Sequence, residues 1–416
     1  MALDNFRVGR ARVFAFLICH AFGWSAASAA ELTLREAVVL TSERNPQLRA
    51  FGFESEAMRQ HGLVRAMAPP LSVDVQLENF AGSGDVSGVK ALETTLQLSK
   101  VVELGGKAQR RSELGAAELE SLAARQAALR ADLAAETARR FVHVLADQAQ
   151  LDVRSRASVL AERARDAVEA RIREGAISSV FLHRAEIELA RARIEQEHAE
   201  HELAASRTAL AVMWGDEEAR FERAVGDLFE FPDIEPLERY VARLDGNPDL
   251  LQFAAEQRAI DARQRLAESA RAPNVTFSAG VRRLEASDDQ AFVAGFSVPF
   301  GARKRAVPEL RAAAAERERL SFSAAAHRLD LHARLFGFYQ EILHARMEAN
   351  VLRTDIRPQA QRMVETTTEG YRQGRYSLVE LIDAQRSLLE IERDAVRAAR
   401  EFHANLIEIE RATGAR

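Results

Sequence analysis

The chain has 416 residues and a formal net charge of −5, with 57 Lys and Arg against 62 Asp and Glu. Attraction to nucleic acid requires a basic surface, so this balance argues against nucleic acid as a partner. Aromatic residues make up only 6% of the sequence, and 21 Gly and 10 Pro interrupt it. Such a composition is typical of long helices packed in thin layers rather than around one thick core.

The N-terminal segment has the features of an export signal. Arginines precede the apolar run 13–24, and small residues follow it. We predict cleavage after Ala29 or Ala30, which also removes Cys19, the only cysteine of the chain. A buried first helix is the alternative, but the run is short and apolar around its whole circumference. We therefore assign residues 1–30 to a signal peptide.

Helical sequence covers most of the remaining chain. Between Gly106 and Glu174 there is no Pro and a single Gly, and a helix over that span would be about 100 Å long. The predicted helices are 33–68, 106–173, 176–214, 238–271, 303–373 and 376–412. Pro308 lies near a helix start, where proline is tolerated. Pro358 is expected to kink or restart the helix between Asn350 and Gln361.

Two pairs of short segments alternate between apolar and polar side chains, which predicts strands. They cover residues 73–78, 92–99, 275–282 and 292–298. Half-buried hairpins of a soluble domain would alternate in the same way, but nothing except long helix is available to cover them. About ten residues per strand is also the length that crosses a bilayer. Since four strands cannot close a barrel, the membrane interpretation requires several copies of the chain.

The chain contains two copies of one plan, which is a helix, two strands, a very long helix, a turn and a long helix. An Asn-Pro start and a Gly turn each recur about 200 residues later, at Asn45 and Asn247 and at Gly175 and Gly374. We assign repeat 1 to residues 31–225 and repeat 2 to residues 226–416. In both copies the last helix has apolar residues every seven positions, which indicates a coiled seam with neighbouring helices.

No catalytic, cofactor or metal motif is convincing. The segment 105–107 resembles the end of a phosphate-binding loop, but the preceding glycine spacing is missing. His198 and His201 lie on one helical face beside glutamates and could grip a metal ion. A solvated face is the commoner cause of that pattern, and no third ligand is identifiable. We therefore predict no enzyme activity, no cofactor and no fixed metal site.

The order of these features resembles that of the TolC-type outer membrane factors over essentially all of residues 32–416. The export signal, the duplicated plan and the Asn-Pro-x-Leu starts carry the resemblance. Two shorter segments, 101–107 (VVELGGK) and 357–360 (RPQA), are similar to the cobalt–zinc–cadmium efflux branch. The turn at 300–304 departs from that branch because it lacks acidic and asparagine residues.

The resemblance implies a homotrimer in the outer membrane of a Gram-negative bacterium, with a mainly α fold and a small β part. Each protomer would add four transmembrane strands to a trimeric 12-stranded β-barrel and its long helices to an α-barrel in the periplasm. A periplasmic adaptor (membrane fusion) protein and an RND-type inner-membrane pump would dock there. The chain, held in outer membrane lipid, would be a passive duct for divalent heavy-metal cations.

Other functions stay open at this point. One is an outer-membrane duct for drugs or for type I protein secretion. Another is a soluble periplasmic coiled-coil scaffold or adaptor, although an adaptor should contain one helical hairpin flanked by compact β-domain halves. Here the hairpin is duplicated, and each copy has its own pair of strands.

The resemblance places the two Gly turns at the periplasmic tips, where the adaptor would bind. Gly175 and Gly374 permit a positive φ, and Ser178 and Ser377 are suited to cap the helices that follow. The residues assigned to adaptor contact are Arg173, Gly175, Ile177, Ser178, Val180, Arg372, Gly374, Tyr376, Ser377 and Val379.

The segment around the second tip resembles the periplasmic aperture of the family, to which we assign Tyr371, Glu380 and Asp383. In a trimer each copy would add two carboxylates to the constriction, which favours cations. Alternatively, the two acids are solvated surface groups or partners of Arg375 and Arg386.

Overall fold

The computed structural model describes residues 30–414, so the predicted export signal lies outside the described residues apart from the backbone of Ala30. The first half contains β1 (Ala30–Thr33), α1 (Leu34–Arg44), α2 (Pro46–Ala66), β2 (Leu71–Glu78), β3 (Glu93–Glu103), α3 (Lys107–Arg173), α4 (Val180–Ala211) and β4 (Phe221–Val225). The second half contains α5 (Leu237–Arg243), α6 (Pro248–Ser269), β5 (Asn274–Leu284), β6 (Asp289–Ser297), α7 (Ala302–Val351), a π-helical turn (Leu352–Ile356), α8 (Arg357–Arg372) and α9 (Leu378–Thr413).

Three of the predicted helices are interrupted. The first divides at Asn45, whose extended backbone is the conformation that a following proline favours. The helix predicted over 238–271 divides into α5 and α6, with a short 3₁₀ turn between them. The restart expected near Pro358 is confirmed, because the π-helical turn ends just before α8 and Pro358 is the second residue of α8. Helix α7 continues through Pro308, close to its start.

Asn45 and Asn247 join the start of one helix to the end of another in the same way. The side-chain oxygen of Asn45 accepts bonds from two backbone N–H groups of the following turn, and Nδ2 donates to the Met213 carbonyl at 2.8 Å. Asn247 forms the equivalent bonds and donates to the Ala412 carbonyl at 3.0 Å. Both side chains are buried, and an amide is suited to the position because it accepts and donates at once.

Strands β1 and β4 pair in parallel and were not predicted, because each is too short to show alternation. They lie beside a core that includes Phe141 and Trp214. A second core, which includes Leu335 and Phe402, lies in the second half of the chain. The mainly helical fold with a small sheet part is confirmed.

The long helices lie side by side. Near the four-stranded sheet their order is α2, α3, α6 and α7, and towards the Gly turns it is α4, α3 and α9, followed by α7 and α8. Helices α2 and α4 form one flank, and α7 and α8 form the other. Both flanks are therefore available for further packing. Among the helices of residues 30–414, none is both long and apolar enough to cross a membrane.

Candidate functional site

In the four-stranded sheet, the two central strands expose apolar side chains on one face and shelter polar side chains on the other. The strand order of this sheet is β2, β3, β5 and β6, antiparallel throughout. On β3, Leu96 and Leu98 are 54% and 50% exposed, whereas Thr95 on the opposite face is 2% exposed. The register places Val75 and Val281 beside Leu96 on the exposed face. A sheet covered by a protein core has the reverse polarity, so this face is suited to lipid.

Arg282 of β5 holds the polar face together. Its Nη1 donates to Glu93 at 2.7 Å, its Nη2 lies 3.1 Å from a Glu78 carboxylate oxygen, and its Nε donates to Thr95 at 3.0 Å. These partners belong to β2 and β3, so one side chain ties three strands. Charge-assisted bonds of this kind are stronger than neutral ones.

The two Gly turns have the same backbone geometry. Gly175 and Gly374 have φ values of 71° and 73°, which confirms the predicted left-handed conformation. Ala176 N donates to the Arg171 carbonyl at 3.0 Å, and Arg375 N donates to the Gly370 carbonyl at 2.7 Å. These bonds close a Schellman motif at the end of α3 and of α8, which satisfies carbonyls that would otherwise lack a partner.

The helices that follow the two turns begin differently. Ser377 caps α9 as predicted, because its Oγ accepts from Glu380 N at 3.3 Å and its N–H donates to Glu380 Oε2 at 2.6 Å. Ser178 does not cap α4 in this way. That helix begins at Val180 with no side-chain bond from its N-cap, and Ser178 Oγ only accepts from Val180 N at 3.4 Å. Phe181 stands where α9 has Glu380, so α4 has no carboxylate for the reciprocal bond of a capping box.

The two tips lie against each other. Arg171 Nη1 donates to the Tyr371 carbonyl at 3.1 Å, and the guanidinium lies 5.0 Å from the centroid of the Tyr371 ring. Of the residues assigned to adaptor contact, all are exposed except Ile177, which is half-buried. Arg171 was not predicted as part of this region, because it belongs to no motif and only its position one turn before Gly175 points to it.

The aperture residues occupy different environments. The Tyr371 side chain is 2% exposed and packs with Val168 and Leu381, and burial raises the pKa of its phenol. The backbone N–H of Ser377 lowers the pKa of Glu380, whose carboxylate belongs to the cap. Asp383 is exposed. The structure therefore brings the three residues to one end of the hairpin but leaves only the two acids at the surface.

Neither Arg375 nor Arg386, the partners considered from the sequence, forms an ion pair with Glu380 or Asp383 in the described part of the chain. Arg386 donates to both carboxylate oxygens of Glu188 on α4 at 2.7 Å.

The two histidines considered as metal ligands also lie on α4. His198 lies 3.3 Å from Glu202 and His201 lies 3.9 Å from Glu197, and all four side chains are exposed. Within residues 30–414 no group of three or more His, Cys, Asp or Glu side chains could hold a metal ion.

Comparison with known proteins agrees with this architecture. Residues 37–216 and 240–415 match the family described as Outer membrane efflux protein. Over 367 residues the chain is 26% identical to the cobalt-zinc-cadmium resistance protein CzcC of Cupriavidus metallidurans, an alignment that covers 87% of this chain and 85% of that protein.

Solved structures share the fold. A membrane protein from Pseudomonas aeruginosa superposes with a TM-score of 0.75 at 19% identity, covering 92% of this chain and 93% of that chain. CusC superposes with a TM-score of 0.74 at 16% identity, covering 91% of each chain. The chain therefore belongs to the outer membrane efflux protein family, and it is an outer-membrane efflux channel with a long periplasmic helical part.

Proposed function

We propose that three copies of the chain form a passive duct for divalent heavy-metal cations, supplied by a periplasmic adaptor and an RND-type inner-membrane pump. The similarity to a cobalt-zinc-cadmium resistance protein over most of both chains carries the choice of cargo. A wide water-filled duct does not need to bind what it passes. In this proposal the pump selects the ion, and the duct supplies a continuous path to the outside.

The open edges of the sheet support assembly from three copies. Strands β2 and β6 are the outer strands, and an open edge in lipid would leave backbone groups without partners. Three copies with four strands each would close a barrel of twelve, above the minimum of about eight. The exposed apolar face of the sheet would then meet lipid, and the face held by Arg282 would line the water-filled interior.

The two flanks of the helical layer also support a ring. Each flank exposes apolar side chains at seven-residue spacing, and every one of them is half or more exposed. These side chains are Val180, Ile187 and Ile194 on α4 and Phe322, Leu329 and Phe336 on α7. Matching stripes on opposite flanks suit head-to-tail packing between copies, which closes into a ring.

The two tips are the proposed adaptor-binding surface, and the segment beside the second tip is the proposed aperture. The tip residues other than Ile177 are exposed, and the contact between Arg171 and Tyr371 holds the two tips together. Asp383 is the acid best placed to act on passing cations, because the charge of Glu380 already serves the α9 cap. Tyr371 would support the aperture from inside the hairpin rather than line it.

Growth of a deletion strain tests the cargo. The strain, with and without the restored gene, is grown against zinc, cobalt, cadmium, nickel, copper and hydrophobic drugs. We expect sensitivity to divalent metals only, reversed by the gene. Sensitivity to drugs alone would overturn the choice of cargo and leave the duct. Complementation with Phe292→Lys, which places a charge on the apolar face of the sheet, is expected to be weaker, because a charge on a lipid-facing position destabilises an inserted barrel.

Extraction of membranes tests the location and the assembly independently of cargo. An integral protein is expected to stay with outer membranes through carbonate and high-salt washing and to run as a trimer in mild detergent. Release by these washes would favour a soluble periplasmic scaffold and would contradict the duct.

A further inference from the structure

A pocket lies on the exposed face of the four-stranded sheet. The register pairs Ala279 of β5 with Ala294 of β6, and both side chains are exposed. On the same face of β6, Phe292 and Phe296 stand on either side of Ala294 and are 94% and 76% exposed. Small side chains between large ones leave a space of about 580 Å³, and Lys100 of β3 contributes to its lining.

Lys100 places a positive charge at the border of this pocket. It is paired in register with Phe277 and lies two residues after Leu98, so it shares the exposed apolar face with both. Its Nζ donates to the Pro69 carbonyl at 3.1 Å, and within residues 30–414 this ammonium has no carboxylate partner. An ammonium has three N–H donors, so two of them are available to a ligand.

A second cation on this face has its charge neutralised. Arg283 of β5 donates to Glu285 at 2.8 Å and to Asp288 at 2.7 Å, at the opposite end of the sheet. A cation on a lipid-facing position destabilises an inserted sheet, by an amount that decreases towards the membrane interfaces. An anion from outside the protomer would therefore stabilise Lys100, whereas Arg283 already has its counter-ions.

The ammonium lies near the end of the sheet from which the long helices start. Lys100 is three residues before the end of β3 at Glu103, which is about 10 Å along the strand. Its side chain extends to Pro69, which precedes β2 at the same end of the sheet. Long lysine side chains reach a membrane interface in this way. In an outer-membrane channel with a long periplasmic helical part, this interface is that of the periplasmic leaflet.

The shape and charge of the pocket define the class of ligand. A phosphate oxygen accepts a charge-assisted hydrogen bond from an ammonium and supplies the missing negative charge. The floor formed by Ala279 and Ala294 and the rings of Phe277 and Phe296 offer apolar surface to a hydrocarbon chain. Lipopolysaccharide has the same chemistry, but it occupies the opposite leaflet. An anionic phospholipid combines both properties on the periplasmic side.

We propose that the pocket binds one anionic phospholipid of the periplasmic leaflet, with its phosphate on Lys100 and an acyl chain over Ala279 and Ala294. The proposal rests on the proposed function, in which this face of the sheet meets lipid. A neighbouring copy would pair with the edge of β6 and would not lie over its face, so the pocket stays open in the trimer. Each trimer then has three such sites.

Native mass spectrometry of the purified trimer, mixed in detergent with phosphatidylglycerol or phosphatidylcholine, tests the charged contact. We expect up to three phosphatidylglycerol molecules per trimer and weaker binding of phosphatidylcholine. Lys100→Gln should lower the affinity for phosphatidylglycerol about fivefold, the contribution of one lysine near an anionic lipid surface. Lys100→Arg keeps the charge and should retain binding. Lys90→Gln, which removes an exposed lysine at the opposite end of the sheet, is the control.

A second pair of variants tests the apolar contact without changing any charge. Ala294→Phe fills the space between Phe292 and Phe296 and should weaken the binding of both lipids. Val75→Phe adds a ring to the same face of the sheet but outside the lining of the pocket, and it should leave binding unchanged.

Unchanged phosphatidylglycerol binding in Lys100→Gln, or equal losses in Lys100→Gln and Lys90→Gln, would overturn the contact with the phosphate. Displacement of the lipid by inorganic phosphate alone, or a preference for lipopolysaccharide, would overturn the assignment to a phospholipid of the periplasmic leaflet. If Lys100→Gln does not assemble, equal binding by Ala294→Phe and Val75→Phe would overturn the site. A wild-type protein that gives no trimer mass would contradict the duct, whereas a trimer without lipid would contradict this site alone.

Discussion

The two hairpins share one turn but differ in how their return helices are packed. Helix α4 packs mainly against α3 and leaves Ile187 and Ile194 exposed, whereas α9 lies between α3 and the pair formed by α7 and α8. The α9 residues Leu381 and Phe402 are completely or almost completely buried. The Gly turn depends only on its own backbone conformation, so it is the same in both copies. Burial depends on which helices lie alongside, so α9 is an interior helix and α4 an edge helix although their sequences correspond.

The largest expected difference between the hairpins is in the unfolding free energy lost when either of two corresponding leucines is replaced by alanine. Leu381 of α9 and Leu182 of α4 occupy corresponding positions, but Leu381 is 1% exposed and Leu182 is only half-buried. We expect Leu381→Ala to cost about 2–5 kcal/mol of unfolding free energy per protomer, because it leaves a cavity in a packed cluster. Leu182→Ala should cost clearly less. The midpoint of denaturant unfolding of the purified protein measures both.

A similar loss in the two variants would mean that α4 is buried as deeply as α9 in the assembled channel. The difference in burial between α4 and α9 would then exist only in the isolated protomer. Leu389→Ala is a useful reference, because this half-buried residue lies two turns further along α9 and should behave like Leu182→Ala.

A smaller effect is expected from a substitution in the exposed apolar stripe of α4, which should weaken assembly of the trimer rather than folding of the protomer. Ile194→Ser removes an apolar side chain that is 64% exposed in the protomer. Burial of such a side chain contributes about 1.5–3 kcal/mol, so its loss at each contact between copies should shift the trimer towards smaller species. Size-exclusion chromatography in detergent measures the shift, and circular dichroism checks that helix content is unchanged. Glu200→Ser, on α4 but outside the stripe, is the control.

If Ile194→Ser leaves the trimer intact over a dilution series while Glu200→Ser does the same, the stripe is not an interface. A loss of helix content in Ile194→Ser would also contradict the division of roles, because it would show that this side of α4 supports the protomer.

Local signals made the turns and the strands predictable, and long-range packing made the rest unpredictable. Gly175, Gly374 and the paired Asn-Pro starts act through their own backbone or the next turn, so a single sequence reveals them. The alternation of the four long strands is equally direct. By contrast, the burial of Tyr371 depends on side chains from three other helical stretches. The joining of Arg156 to Glu392 across the two copies has no local pattern at all.

The smallest expected effect is confined to the first turn of α9. The Ser377 backbone N–H lowers the pKa of Glu380 from its usual value of 4.5. Because the pKa is lowered in the folded state, the ionised carboxylate stabilises the cap above that usual value. The contribution is lost as the pH falls through the lower folded-state pKa. Helix α4 has Phe181 at the corresponding position and should show no such dependence.

Hydrogen exchange of first-turn amides compares the two helices in one sample, so α4 corrects for the effect of pH on exchange itself. We expect the excess protection of α9 over α4 to be constant well above the usual pKa of 4.5 and to shrink as the pH falls from that value through the lowered folded-state pKa of Glu380. Glu380→Gln should abolish that change, because an amide oxygen still accepts from Ser377 but does not ionise. An excess that persists at the acid end in the wild type would mean that the Ser377 hydroxyl alone holds the cap. The difference between the tips would then lie in packing and not in charge.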